Sequence, residues 1–485
     1  MKSQMRDLAN RAIRGSIWIA SASYSGFVLT FVSTAVLARL LPPKAFGVYA
    51  LAQSYSIILL AVGAFGFTQA IVQSSSRDAR LADTALIMTV VVRVILGVIS
   101  VPIALIIAQY HGADVALAFF QLSLVQIADA IRIGLTITLE RDLEYGRVAR
   151  MSLLSNVVSA VASISAGYAG LGASALVIRD AALSISLLFI AWLTARRWKL
   201  PLGHAFDRHA AKEIWKFGRS VYFVRALDQI ASRIDRILLG SILSLDVLGI
   251  YHQAKYLASL PANALAPGNF QVAITTYSKI KTNVERLSRA FYTVQYFVTR
   301  LVPPFVIICA IWPAELLGAV CGPRWMAAEM PLRILALFVL SFAATEGYRS
   351  LFTALEAWVV LRRSAIIQAV TMIVVLPLLA SFYGAVGASA ATLLASVAAV
   401  TYLRLESRRH LIVVPPSIRG IAALLCAFGG ALACRWGVAV AMPRQSLALG
   451  VTVSVLLYGA MVILWERGEV WTRCRAVLNS ALSRA

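Results

Sequence analysis

Long runs of apolar residues dominate the chain, and short polar segments separate them. A helix needs about 20 such residues to cross a bilayer, and the runs are continuously apolar, as in helices, rather than alternating, as in strands. The pattern predicts about fourteen membrane spans. They lie near residues 15–37, 46–72, 84–108, 114–138, 151–170, 172–195, 217–243, 247–275, 292–314, 331–355, 364–383, 385–404, 418–440 and 446–465.

Composition supports a lipid environment. Hydrophobic residues make up 60% of the 485 positions and charged residues 14%, with a mean hydropathy of +0.79, whereas soluble domains have about 45–50% and about 25%. The net charge of +23 would suggest nucleic acid as a partner of a soluble protein. Here we interpret it as a signal of membrane orientation and expect no nucleic acid. Cysteine and histidine spacing predicts neither a disulfide framework nor a metal site, and nothing indicates a cofactor.

The distribution of Lys and Arg tests the number of spans. With a cytoplasmic N-terminus, about 30 of these residues fall on the cytoplasmic side and about five on the other, which is the expected inside bias. A missed or invented span would reverse every downstream segment and remove this bias. The sequence therefore predicts an even number of spans, with both termini in the cytoplasm.

Two short internal matches predict a duplicated architecture. Residues 46–49 (FGVY) match residues 248–251 (LGIY), and residues 170–175 (GLGASA) match residues 385–390 (AVGASA). They equate spans 1–6 with spans 7–12, and six spans per half give a parallel repeat. The predicted organisation is a cytoplasmic segment (1–14), a six-helix bundle (15–195), a basic cytoplasmic linker (196–216), a second six-helix bundle (217–404) and two additional helices with a tail (405–485).

At these segments the chain resembles the Wzx-type polysaccharide flippases, in the superfamily that also holds the MATE exporters and the lipid II flippases. The resemblance covers roughly residues 10–410. The segments that carry it are 35–52 (AVLARLLPPKAFGVYALA), 168–175 (YAGLGASA), 235–261 (DRILLGSILSLDVLGIYHQAKYLASLP) and 322–325 (GPRW). It implies two six-helix bundles around a central cavity, alternating access and export of a lipid-linked oligosaccharide, for which a glycan polymerase and a chain-length regulator would be partners. Arg233 departs from the family pattern, which often has Asn at that position.

Ionisable residues within the predicted spans are the candidate functional residues, because an isolated charge at the bilayer centre costs about 2.5–3.5 kcal/mol on insertion scales and so faces protein or a wet cavity. The predicted substrate cavity contains Arg93, Asp129, Arg132, Arg179, Asp180, Arg225, Asp228, Arg233, Asp235, Arg236, Lys255, Arg300, Glu346 and Arg349. Most acids have a basic neighbour one or three positions away. In span 7, residues 225, 228, 232 and 235 are spaced to form one polar stripe.

Basic side chains outnumber acidic ones in this set, which favours an anionic substrate, and Arg binds phosphate oxygens through two parallel hydrogen bonds. The alternative is that these residues are structural ion pairs or side chains that reach the membrane interface. Prolines at 102, 261, 267, 303, 304 and 377 predict kinks or breaks in the spans. They are interpreted either as bending points of a transport cycle or as ordinary kinks.

The leading interpretation is therefore a flippase for an undecaprenyl-pyrophosphate-linked oligosaccharide, which contacts this substrate and membrane lipids and is not an enzyme. A multidrug or cation antiporter and a lipid II flippase are the alternatives within the same superfamily. A membrane glycan polymerase is a further alternative, although such enzymes usually carry a large outer loop with catalytic residues. The longest outer segment here, near 315–330, is short and has no evident acid–base pair.

Overall fold

The fold is all-helical throughout the part that the computed structural model describes, which is residues 2–63, 79–141, 145–197 and 229–412, with isolated positions between 206 and 226 and at 429 and 458. The helices of its first part are α1 (Lys2–Leu40), α2 (Pro43–Gly63), α3 (Ala79–His111), α4 (Ala113–Arg141), α5 (Tyr145–Tyr168), α6 (Ser174–Arg197) and α7 (Ile234–Ile242). They are followed by α8 (Leu245–Ile280), α9 (Val284–Leu301), α10 (Pro303–Ile311), α11 (Pro313–Val320), a 3-10 helix (Pro323–Ala328), α12 (Glu329–Ala354) and α13 (Trp358–Ser407).

Nine helical stretches within the described ranges are long and apolar enough to cross a membrane. Their surfaces agree with this, because large apolar side chains such as Val98, Leu105 and Phe382 are 67%, 65% and 75% exposed, whereas many of the buried positions are Ala, Ser or Thr. An exposed apolar surface of this extent requires lipid as its solvent. The predicted class, an all-α polytopic membrane protein, is confirmed.

Most predicted spans coincide with observed helices. The predicted pair 364–383 and 385–404 forms the two arms of α13, which is interrupted only at Gly384. Gly384 has φ 55° and ψ −131°, a conformation that only glycine adopts readily. A methyl group on Gly387 would stand 1.9 Å from the Leu379 carbonyl oxygen, so the arms meet backbone to backbone beside the turn. The two predicted spans at 418–465 lie almost entirely outside the described residues.

Three predicted spans agree with the structure only in part. The predicted span 217–243 is broken by a turn at Ser232 and Arg233, and its described continuation is the short helix α7. The predicted span 292–314 corresponds to α9 and α10, which form one apolar helical stretch, Val284–Ile311. Pro303 lacks the N–H that would continue the hydrogen bonds of α9, although Val302 before it keeps helical angles of φ −77° and ψ −42°. The predicted break at Pro261 and Pro267 does not occur, since α8 remains helical through both. α8 is also absent from the nine apolar stretches, because polar residues recur along it.

The chain forms two compact units, Met1–His252 and Gln253–Ala485. Within the first unit, α5 packs against α1 and α6, and α4 packs against α2, α3 and α6. Within the second, α12 packs against α13 and α10. The predicted division into two six-helix bundles separated by the linker 196–216 stays a prediction.

The first internal match has a direct structural counterpart in the first unit. α1 ends at Leu40 and α2 begins at Pro43, while α7 ends at Ile242 and α8 begins at Leu245. Each boundary in the second pair lies 202 residues after its counterpart, the same offset as between Gly47 and Gly249. A methyl group on Gly47 would stand 1.8 Å from the Leu245 carbonyl oxygen, and one on Gly249 would stand 1.9 Å from that of Pro43. The equivalent helix starts therefore pack against each other through backbone.

Candidate functional site

Buried polar residues of the first unit gather where α2, α6, α7 and the start of α8 meet, and Tyr49 is at their centre. The Tyr49 hydroxyl donates a hydrogen bond to Asp180 Oδ2 at 2.6 Å. It accepts hydrogen bonds from Gln53 Nε2 at 2.6 Å and from Arg179 Nη2 at 3.0 Å. A phenolic hydroxyl has one donor and two acceptor positions, so Tyr49 is fully used by these three partners.

Arg179 holds several elements of this region together. Its Nη1 donates to Thr34 Oγ1 on α1 at 3.2 Å, and its Nε lies 3.3 Å from Asp180 Oδ1. The guanidinium carbon also stands 5.5 Å from the centre of the Tyr49 ring, within cation–π range. Arg179 therefore contacts residues of α1, of α2 and of its own helix, α6.

A second tyrosine–aspartate pair lies in the same region. Asp235, in the first turn of α7, is 1% exposed, and its Oδ2 accepts a hydrogen bond of 2.7 Å from the fully buried Tyr251 hydroxyl. Tyr49 and Tyr251 each stand two positions after the glycine of the internal match. The same offset of 202 residues relates Ser33 to Asp235 and Thr34 to Arg236. At these matched positions, α7 carries charged residues and α1 carries neutral residues with a hydroxyl group.

Arg233, Arg236 and His252 complete the group. His252 lies edge-on to Tyr49, with ring centres 6.4 Å apart, and it is close enough to Arg179, Arg233, Arg236 and Asp235 to interact with their charges. We call this group the tyrosine–arginine cluster; its members are Tyr49, Arg179, Asp180, Arg233, Asp235, Arg236, Tyr251 and His252. Its three guanidinium groups exceed its two carboxylates, so an anion is favoured there over a cation.

Several nitrogens of the cluster are buried without a hydrogen-bond partner in the part of the chain that the structure describes. They are Nε of Arg233, Nε and Nη1 of Arg236, and Nδ1 of His252. Buried donors in native proteins are normally paired, because an unmade hydrogen bond retains the full desolvation penalty. The arginine nitrogens are consequently the part of the cluster with unused capacity to bind oxygen atoms, whereas Nδ1 of His252 donates or accepts according to the tautomer of its ring.

A second polar group lies between α3 and α4. Arg93 Nη1 donates to Gln126 Oε1 at 2.7 Å, and Asp129, whose charge reaches Arg93, forms a 2.7 Å ion pair with Arg132. Arg93, Gln126, Ser123 and Ser56 line a cleft of about 10 Å³, room for about one water molecule. The cleft is too small to hold a sugar in this conformation.

The predicted residues of the second unit lie in separate places. Glu346 and Arg349 form an ion pair at 3.4 Å, as their spacing predicts. Lys255 Nζ stands 5.4 Å from the centre of the Phe338 ring, and the Arg300 guanidinium stands 4.4 Å from that of Tyr296. Both are cation–π contacts. Within the described residues, no group of three or more His, Cys, Asp or Glu side chains is placed to hold a metal ion.

The structure thus brings together Arg179, Asp180, Arg233, Asp235 and Arg236, and separately Arg93, Asp129 and Arg132. Arg225 and Asp228 lie outside the described residues, so the predicted stripe of span 7 stays a prediction in that part. Its other two members are separated by a break in the helix: Ser232 belongs to the turn before α7 and Asp235 to its first turn.

The sequence reasoning missed Tyr49, Tyr251 and His252 as members of the site. The two tyrosines were present in the repeated motif itself, FGVY and LGIY, which is the signal that could have identified them.

Comparisons with known proteins agree on one family and one fold. The family model described as "Polysaccharide biosynthesis protein" matches residues 36–329. The teichuronic acid biosynthesis protein TuaB of Bacillus subtilis (strain 168) is 22% identical over 336 residues, 69% of each chain. The succinoglycan biosynthesis transport protein ExoT of Rhizobium meliloti (strain 1021) is 23% identical over 346 residues, 68% of this chain and 66% of that protein.

Among solved structures, the lipid II flippase MurJ in an inward closed conformation has the same fold. Its TM-score is 0.75 at 12% identity, and the alignment covers 94% of this chain and all of that one.

Proposed function

Since the chain belongs to the polysaccharide biosynthesis protein family and is a transmembrane transporter with a flippase fold, we propose that it moves a lipid-linked oligosaccharide across a membrane. The proposed substrate is carried on undecaprenyl pyrophosphate. It passes from the cytoplasmic to the outer leaflet of the bacterial inner membrane, for lipopolysaccharide or exopolysaccharide biosynthesis.

The observation that carries this proposal is the surplus of arginine among buried polar groups of the first unit. The tyrosine–arginine cluster contains three guanidinium groups and two carboxylates, and the group between α3 and α4 adds Arg93 and Arg132 against Asp129. An exporter of cationic drugs would need the opposite balance. A pyrophosphate at the head of a lipid presents oxygens that guanidinium groups bind through paired hydrogen bonds.

The proposed mechanism is alternating access. Arginines within the helices attract the pyrophosphate, while the lipid tail remains in the bilayer. Bending at Pro303, where α9 passes into α10, changes the leaflet to which the substrate site opens. Both termini face the cytoplasm in this proposal, and a polymerase and a chain-length regulator receive the exported repeat units.

The decisive experiment is reconstitution of the full-length protein in liposomes that carry a fluorescent undecaprenyl-pyrophosphate oligosaccharide in both leaflets. A membrane-impermeant quencher added outside would quench the inner-leaflet fraction only if the protein moves it. We expect loss of this protected fraction with the protein and retention in empty liposomes. No movement of any undecaprenyl-pyrophosphate oligosaccharide would overturn the proposal, and movement of lipid II alone, or of a cationic drug alone, would assign the chain to one of those transporter classes instead.

A further inference from the structure

The two arms of α13 carry exposed arginines at the end of this helical hairpin that is opposite Gly384. Arg362 and Arg363 stand near the start of the first arm, and Arg404 and Arg408 stand near the end of the second. We infer that these four arginines bind the phosphate of an anionic membrane phospholipid, whose acyl chains lie along the apolar surface of the arms. The ligand is a lipid of the surrounding membrane, so the inference is independent of the proposed cargo.

The first argument is the position of the arginines along the hairpin. Arg363 precedes Gly384 by 21 residues, and Arg404 follows it by 20. Since a helix rises about 1.5 Å per residue, both arginines lie about 30 Å from the turn. That length matches the hydrocarbon thickness of a bilayer, which is about 30 Å. With the turn at one membrane surface, the arginines are therefore level with the lipid headgroups of the other.

The second argument is the surface between the arginines and the turn. On each arm, exposed and mostly apolar side chains continue from the arginine at spacings of three and four residues, which places them on the same helix face as the arginine. They are Ile366, Val370 and Val374 on the first arm, beside Arg363, and Thr401, Val397 and Leu394 on the second arm, beside Arg404. Each arm thus joins a cationic end to an apolar track, which matches a phospholipid with an anionic headgroup above its acyl chains.

The third argument is the charge at this end of the hairpin. None of the four arginines has a carboxylate partner within the described part of the chain, and the acids nearest in sequence are paired elsewhere. Glu406 forms a 3.1 Å ion pair with Arg409, and Glu356 forms one of 2.8 Å with Lys281. The four guanidinium groups therefore attract an anion, and their planar forks match the oxygens of a phosphate.

A role in membrane orientation alone explains less of this arrangement. Orientation requires only that the charges lie on the cytoplasmic side. It does not require arginines that continue the exposed apolar face of a membrane helix. Trp358, which is 42% exposed at the start of the first arm, adds an aromatic ring of the kind that is typical of the membrane interface. A free phosphate would use the charges but not the apolar tracks, whereas a phospholipid uses both.

The test uses the purified full-length protein, stripped of lipid in detergent, with native mass spectrometry to measure its affinity for phosphatidylglycerol. Phosphatidylcholine, which has a phosphate but no net charge, is the comparison lipid. We expect tighter binding of phosphatidylglycerol, and binding about fivefold weaker in each single variant. The variants are Arg362→Gln, Arg363→Gln, Arg404→Gln and Arg408→Gln. Equal binding of the two lipids by the unchanged protein, or unchanged affinity in all four variants, would overturn the inference.

Arg324→Gln is the matched control. Arg324 is exposed in the 3-10 helix that precedes α12, whereas the arginines of α13 lie near the other end of α12. The 26 residues of α12 separate the two ends by about 39 Å. The control removes the same charge from the same unit and should bind phosphatidylglycerol as the unchanged protein does. An equal loss of affinity in Arg324→Gln would show that net charge rather than a site attracts the lipid.

Two soluble competitors identify the source of the phosphate. Inorganic phosphate and glycerophosphoglycerol, which is the headgroup without acyl chains, should not displace phosphatidylglycerol at concentrations where the lipid saturates the protein. Displacement by either compound at those concentrations would assign the arginines to a soluble anion and overturn the role of the apolar tracks.

Thermal unfolding separates a binding role from a structural one. Without lipid, the four variants should unfold at the same temperature as the unchanged protein, because the replaced side chains are exposed. Phosphatidylglycerol should raise the unfolding temperature of the unchanged protein more than that of Arg404→Gln. A lowered unfolding temperature of the variants without lipid would indicate a structural role and overturn the inference. Neither measurement involves transport, so the flippase function and the lipid site are tested separately.

Discussion

A methyl group added to Gly47 would stand 3.1 Å from the backbone nitrogen of Gly249, and one added to Gly249 would stand 3.1 Å from that of Gly47. The contact is reciprocal because the two residues hold equivalent positions in the internal repeat. Both glycines lie near the N-terminal ends of their helices, so the contact fixes where α2 and α8 approach each other most closely.

Replacing Gly47 or Gly249 by alanine should destabilise the protein by about 3 kcal/mol, because the obstacle at 1.8–1.9 Å is a carbonyl oxygen of the backbone and cannot rotate away. Alanine gains about 1 kcal/mol over glycine within a helix, which is too little to offset this clash. Thermal unfolding of the purified variants measures the effect. Gly146→Ala is the control, since the nearest side-chain atom there is 3.9 Å away. Equal stability of Gly47→Ala and Gly146→Ala would contradict the contact.

Removing the hydroxyl of Tyr251 should cost about 1.5–3 kcal/mol, because Asp235 is buried and loses a hydrogen bond to a charged group. Tyr49→Phe should cost less, since Asp180 is 28% exposed and keeps Arg179 beside it. Tyr277→Phe provides the control. The Tyr277 hydroxyl is buried without a partner among the described residues, so its loss should be neutral or stabilising. Equal unfolding temperatures for Tyr251→Phe and Tyr277→Phe would be evidence against the role of Tyr251.

Replacement of Arg93 by alanine should abolish glycan export while the protein remains at its normal level in the membrane. Gln126→Leu removes the 2.7 Å partner of Arg93 but keeps the charge, and it should retain most export if the charge is what serves the substrate. Surface glycan stained on gels, with an immunoblot of membranes, measures both variants. Normal surface glycan in Arg93→Ala would refute this prediction, and equal loss in both variants would assign Arg93 a structural role.

The turn between α12 and α13 should make a small, pH-dependent contribution to stability. The Lys281 ammonium donates to Glu356 Oε1 at 2.8 Å and lowers the pKa of that carboxyl below its ordinary value. A carboxyl whose pKa is lower in the folded protein stabilises the fold above its unfolded pKa and loses that contribution as the pH falls through the folded value.

The unfolding temperature of the unchanged protein should therefore exceed that of Glu356→Gln near neutral pH. The difference should disappear at acidic pH and shrink in high salt, because the pair is exposed. A difference that persists at a pH below the lowered pKa of Glu356 would point to a cause other than charge.

Local spacing was enough to predict the contacts that one helix makes with itself. Asp129 with Arg132 and Glu346 with Arg349 stand three positions apart, and the helix alone brings them together. Tyr49 and Asp180 are separated by 131 positions. Their contact depends on how α2 and α6 pack, which hydropathy does not encode.

The same distinction explains the helix boundaries. Continuous apolar runs predicted the spans, and the glycine at 384 explains why two of them need no loop. The break before α7 was not predictable from hydropathy, since it arises from a turn in which Arg233 N bonds to Ile230 O. The prediction that prolines interrupt helices held at one position and failed at another, because Pro303 starts a new helix whereas Pro261 lies inside α8. In membranes, neighbouring helices can satisfy the carbonyl that proline leaves unbonded.

The common offset of the two helical pairs also bears on ancestry. An ancestor with two identical halves would have carried the Asp-Arg pair of α7 twice or not at all, yet Ser33 and Thr34 occupy the matching positions of α1. The matched positions of α1 and α7 thus differ in charge, whereas Gly47 and Gly249, at the contact itself, are the same residue. α7 brings an acid and a base to this contact that α1 does not, so the two helices could not exchange places without changing its charge.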